Sequence, residues 1–116
     1  MRFKLIMALA EDSLTDGILE AARAAGATGC TVITSARGEG LTPQKTFLGL
    51  DLSGQRDLLL FLVAEQRARE ILEEVSRAGK FDTAHGTGIA FQIAIEDAIG
   101  LSTQHKALAE EIEEDL

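Results

Sequence analysis

Leu58-Leu59-Leu60-Phe61-Leu62-Val63 is apolar at every position. A strand with one wetted face alternates, so a run that does not alternate predicts a strand buried on both faces, central in its sheet. Glu65 then opens a helix in which Ala68, Ile71, Leu72 and Val75 recur at spacings of 3, 1 and 3, one apolar stripe. Gly79 is the expected stop, because glycine takes the left-handed C-terminal conformation at least cost. Upstream, residues 2–9 alternate with Phe3, Leu5, Met7 and Leu9 on one side, as a strand does. Ser13 and Asp16 have capping-box spacing for a first helix carrying Leu14, Ile18, Ala21, Ala22 and Ala25, with Gly26 as its stop. The β-branched Thr31, Val32, Ile33 and Thr34 predict a second strand. Ile89, Phe91, Ile93 and Ile95, alternating with Ala90, Gln92 and Ala94, predict the last.

The order is strand, helix, strand, long loop, strand, helix, strand: an α+β, ferredoxin-like split βαβ (βαββαβ) with helices on one face of an antiparallel sheet. Sheet order 4-1-3-2 places the all-apolar third strand inside. Two helices cover only one face, whereas residues 58–63 carry apolar side chains to both and Ile89 to Ile95 supply more. Another copy of the chain is the expected cover, which predicts a closed homo-oligomer.

At 116 residues the chain is one domain's length, and 46% apolar residues suffice for a core. No apolar run reaches the ~18 residues of a membrane span. Glu11, Asp12 and Ser13 interrupt what would be a secretory apolar region, so a cytoplasmic protein is expected. A net charge of −8 with no basic stripe excludes the electrostatic footprint of a nucleic-acid binder, and five Phe without Trp or Tyr offer no base-stacking platform. One Lys against five acids between Lys106 and Leu116 makes residues 104–116 an acidic tail to a domain spanning residues 1–103.

Residues 37–55 form an unusually long connection, punctuated by Gly38, Gly40, Pro43, Gly49 and Gly54. It gathers Arg37, Lys45 and the adjoining Arg56, and Phe47, Leu48, Leu50 and Leu52 are more apolar than a lone loop can bury. It reads either as a hairpin extension on its own sheet or as an arm that docks on a partner through Lys45, Phe47, Leu48 and Leu50. Residues 79–88 form a second loop containing His85-Gly86-Thr87-Gly88. A G-x-G, here and at Gly38-Glu39-Gly40, either closes a tight turn or lets amides converge on an anion.

Chemistry finds little support. His85 and His105 lack metal-ligand spacing, Cys30 alone builds no thiolate cage, and Ser53 and Ser102 have no signature base near them. No enzyme is expected.

From residue 2 to about 103 the chain resembles the PII signalling family, in its divergent PII-like branch. The carriers are FKLIMALAED (3–12), AGATGCTV (25–32), the long insertion 37–55, and GTGIAF (86–91) leading into IEDAIGL (95–101). The resemblance implies a homotrimer with adenine nucleotides in the clefts between subunits. It also implies a T-loop at about 37–55, a B-loop at 79–88, and a protein target such as a membrane transporter, without membrane insertion. Gly29 and Thr31 match the family's G-x-T near the adenine, and Gly38 and Gly40 match the glycines at the base of the T-loop.

The phosphate grip differs. The family's G-D-G-K falls on Gly86-Thr87-Gly88-Ile89, keeping the glycines without the acid or the lysine. Its E-[DE]-A-I-R-x-R ending falls on residues 96–102, with Gly100 and Ser102 in place of both arginines. The T-loop glutamine falls at Thr42, and no tyrosine is present to be modified. Three lost cations, on the order of 1.5–3 kcal/mol each, weaken triphosphate binding by several decades. Arg37, Arg56 and His85 stand as compensating groups. The expected ligand is a small anion (AMP, ADP, ATP or a cyclic nucleotide) with no required cofactor. A ligand-independent interaction module is the alternative reading. A metal-tolerance-type ferredoxin-like trimer, with His85, His105 and Cys30 as its soft ligands, is another.

Overall fold

The computed structural model describes residues 2–37, 46–47, 50–51, 55–84 and 86–101. In chain order they form β1 (Phe3–Glu11), a 3-10 turn (Asp12–Leu14), α1 (Thr15–Ala24), β2 (Thr31–Ala36), β3 (Thr46–Phe47), β4 (Leu50–Asp51), β5 (Arg56–Ala64), α2 (Glu65–Gly79) and β6 (Gly88–Ala94). The four long strands make one antiparallel sheet in the order β2-β5-β1-β6. The all-apolar run thus lies in β5, paired on both sides, and the predicted 4-1-3-2 order holds. The fold is the ferredoxin-like α+β arrangement.

Strand parity divides the sheet. Ile6, Ala8 and Ala10 of β1 and Leu59, Phe61 and Val63 of β5 point to the helices, where Ile18 and Ala22 of α1 and Ala68, Ile71 and Val75 of α2 meet them in one buried cluster. On the opposite face, Leu5 stands between Leu62 and Ile93, Met7 between Leu60 and Phe91, and Leu9 between Leu58 and Ile89. Ile33 extends that row from β2. Ile33, Phe91 and Ile93 are exposed at 46%, 43% and 43%, and no helix among the described residues covers them. The face that the sequence leaves in need of a cover is therefore present as a continuous apolar surface.

Two helix ends differ from expectation. Ser13 does not cap α1: the chain leaves β1 through the 3-10 turn, the N-cap is Leu14, and no side chain caps it. Thr15 instead donates its hydroxyl to Asp57 Oδ2 at 2.6 Å, both residues buried. At the end of α2 the left-handed residue is Lys80 (φ 58°), whereas Gly79 is still helical. Gly79 has another role, since the Phe81 ring occupies the space a Cβ there would need. Gly26 does end α1 as expected, at φ 112°.

β3 and β4 pair through Thr46–Asp51 and Phe47–Leu50, a hairpin within the long connection. Gly38, Gly40, Lys45, Leu48, His85, His105 and the acidic tail lie outside the described residues.

Candidate functional site: the Gly86–Gly88 turn and the foot of the long loop

Three strands end at one place. Arg56, the first residue of β5, stands opposite Glu11 of β1 and Ala36 of β2. A register shift separates Ile33 from Ala36, with Ser35 at φ 58°, a bulge that turns β2 as it enters the long connection. Ser35 Oγ donates to Gln55 Oε1 at 3.4 Å, and the Asp12 amide donates to the Gln55 carbonyl at 3.3 Å. These contacts close the foot of the 37–55 segment.

Against this foot lies the Gly86–Gly88 turn. The guanidinium of Arg56, its side chain only 5% exposed, donates from Nη2 to the Gly86 carbonyl (3.2 Å) and from Nη1 to the Thr87 carbonyl (3.3 Å). Glu11 Oε1 lies 3.6 Å from Nη1, and the Glu11 amide also donates to the Thr87 carbonyl, at 3.2 Å. Gly86 takes φ 77°, a conformation open to glycine. Thr87 Oγ1 donates to the Lys80 carbonyl at 2.9 Å and reaches the Ala84 carbonyl at 3.5 Å, tying the turn to the exposed Lys80 at the end of α2.

Of the residues singled out from the sequence, the fold brings Arg56, Gly86, Thr87 and Gly88 together, with Arg37 one residue beyond β2 at the same foot. Gly29 and Thr31 lie at the other end of β2, where Thr31 pairs with Leu60. At ~3.3 Å per residue that is about 13 Å along β5 from Arg56, so one chain does not unite the two groups. Phe47 and Leu50 pair in the β3–β4 hairpin.

Sequence reasoning misses Glu11 and Phe81. Glu11 is legible only once the β1–β5 register is known. Phe81 leaves a signal in sequence, an aromatic residue between glycines at 79 and 88. Cys30, near the Gly29–Thr31 end, is half-buried, and burial pushes its thiol above the usual range, partly offset by a backbone hydrogen bond from Leu60. That is the behaviour of a packed side chain and not of an activated nucleophile. Among the described residues no three of His, Cys, Asp and Glu converge on a point that would hold a metal. No helix among them is long and apolar enough to cross a membrane.

Comparison with known proteins places the fold in a family. The model of the family "Nitrogen regulatory protein P-II" matches residues 3–105. A PII-like signaling protein from Thermus thermophilus shares 29% identity and superposes with a TM-score of 0.60 over 82% of this chain and 87% of its own. CPII from Thiomonas intermedia, in a structure with ADP, AMP and acetate, shares the fold at 18% identity and a TM-score of 0.60, over 83% of this chain and 90% of its own. Among curated proteins no sequence matches. The chain belongs to the nitrogen regulatory protein P-II family and is a PII-like regulatory protein.

Proposed function

We propose that this chain acts as a homotrimer that binds a small anionic ligand, an adenine nucleotide, in the clefts between subunits and uses it to control a protein target. The observation that carries the reading is the stitching of the Gly86–Thr87 turn to the foot of the 37–55 segment by Arg56. A ligand on the turn then acts on the long segment, the element through which family members engage their targets. The apolar face of Leu5, Met7, Leu9, Leu58, Leu60, Leu62, Phe91 and Ile93 supplies the surface on which copies associate. A trimer also offers a way for Gly29 and Thr31 of one subunit to approach the turn of another. The nucleotides held by CPII are consistent with this ligand class. Lys45, Phe47, Leu48 and Leu50 are the proposed contacts to the target, a membrane transporter in the family's manner, and the setting is cytoplasmic.

The ligand is one of low phosphate charge. Arg56 is turned toward backbone carbonyls and Glu11; the proposed anion contacts are the backbone amides of Gly38, Gly40, Gly86, Thr87 and Gly88, with Arg37 and His85. Calorimetry with AMP, ADP, ATP and cyclic AMP tests this. Binding is expected, with ATP gaining less than about tenfold over ADP, since no lysine follows Gly88 to grip a further phosphate. Silence with all four overturns the sensor reading.

One observation favours a ligand-independent module. The missing side chain of Gly88 is accounted for by packing against Phe81 and the Leu9 carbonyl, so an anion is not needed to explain it. Capture of the target that is unchanged by any nucleotide decides for that reading. The metal-tolerance reading has no observation among the described residues in its favour.

A further inference from the structure

Arg56 sits at a junction. Its backbone lies in the ladder between Glu11 and Ala36, and its buried guanidinium holds the carbonyls of Gly86 and Thr87 at 3.2 and 3.3 Å. The Thr87 carbonyl accepts a second hydrogen bond, from the Glu11 amide, and the next amide along, that of Asp12, donates to the Gln55 carbonyl at the foot of the long segment. A displacement of the Gly86–Thr87 peptide must therefore either drag Arg56 and the ends of β1 and β5 with it or take two carbonyl acceptors from a buried cation that also faces Glu11. Removing two hydrogen-bond acceptors from a buried charge is the costlier course.

We propose that Arg56 is a positioning residue that couples the Gly86–Thr87 turn to the foot of the 37–55 segment, and is not itself an anion ligand. The proposal deepens the functional reading above, on which such coupling carries the signal. Its test, however, needs no ligand.

The test is a double-mutant cycle on the full chain without nucleotide, read by amide hydrogen exchange in NMR at Asp12. Thr87→Val removes the hydroxyl that bonds the Lys80 and Ala84 carbonyls and so loosens the turn without touching the foot. In the otherwise native chain it is expected to speed exchange of the Asp12 amide by about fivefold, as for residues in one hydrogen-bond network. In the Arg56→Met background the same substitution is expected to change that rate by less than about twofold. Arg56→Lys keeps the charge but lacks the planar fork that spans two carbonyls, so it gives the same loss and serves if Arg56→Met does not fold. An equal acceleration in both backgrounds, or none in the native chain, overturns the proposal. Failure to bind nucleotide leaves this cycle unaffected and strikes only the functional reading.

Discussion

The ring of Phe81 fills the space that a side chain on Gly88 would need: a Cβ there would lie 2.5 Å from Phe81 Cε1 and press on the Leu9 carbonyl. Gly88 pairs with Ala10 in the β1–β6 ladder, so neither the backbone nor the ring can retreat freely. Gly88→Ala is expected to destabilise the fold by about 1–3 kcal/mol, the usual penalty of overpacking. Thermal unfolding of Gly88→Ala alone and combined with Phe81→Ala checks it. The penalty should shrink in the double variant, and an unchanged melting temperature for Gly88→Ala would remove the packing role.

Thr15 and Asp57 make a buried hydrogen bond across 42 residues of sequence, joining the start of α1 to β5. Thr15→Val keeps the shape and removes the donor, leaving a buried carboxylate without it. The expected loss is on the order of 1–3 kcal/mol, a fall of several degrees in melting temperature for a domain of this size. Thr15→Ser retains the hydroxyl and should lose much less. Equal losses for both variants would show that the methyl group, and not the hydrogen bond, is what matters.

Cys30 gives a pH dependence of known sign. Burial raises its thiol above the ordinary range, so the folded state favours the neutral form. The resulting stabilisation is complete below the thiol's unfolded value and is lost as pH rises through the higher folded value. The pH–rate profile for alkylation of the folded protein should therefore rise at higher pH than that of the unfolded chain. Coincident profiles would contradict the burial.

The sheet face that no described helix covers makes a different kind of prediction. Phe91 and Ile93 are 43% exposed in the single chain, so Phe91→Glu or Ile93→Glu should barely disturb the protomer while breaking association. Far-ultraviolet circular dichroism should be retained and the mass in light scattering should fall to that of one chain. A variant that keeps the native mass would show that this face is not the one copies share.

Much of the architecture is legible in the residues because burial on two faces leaves no alternative pattern. LLLFLV at 58–63 asks for cover on both faces: β5 is indeed paired on both sides, with Leu59, Phe61 and Val63 under the helices and Leu58, Leu60 and Leu62 on the opposite face. Helix ends are less legible, since a glycine serves several purposes. At Gly79 the need to admit the Phe81 ring prevails and Lys80 takes the left-handed turn instead. The Ser13–Asp16 spacing fits a capping box, but the 3-10 turn starts the helix later, and Thr15 spends its hydroxyl on Asp57. At the candidate site, sequence marks Arg56 as one of three cations gathered at the long 37–55 connection. Only the ladder register shows that its guanidinium is buried against carbonyls. Gly29 and Thr31 join the other residues in a sequence motif, yet strand length separates them within one chain.

The central claim is that copies of this chain meet on the apolar sheet face of Met7, Phe91 and Ile93 and hold nucleotide between them. Native mass spectrometry of the full chain titrated with ADP addresses it most directly. The expected species is an assembly of three times the 12.4 kDa chain mass that takes up to three nucleotides, one for each cleft. A single chain at micromolar concentration, or a trimer that carries no nucleotide at millimolar ADP, would contradict it.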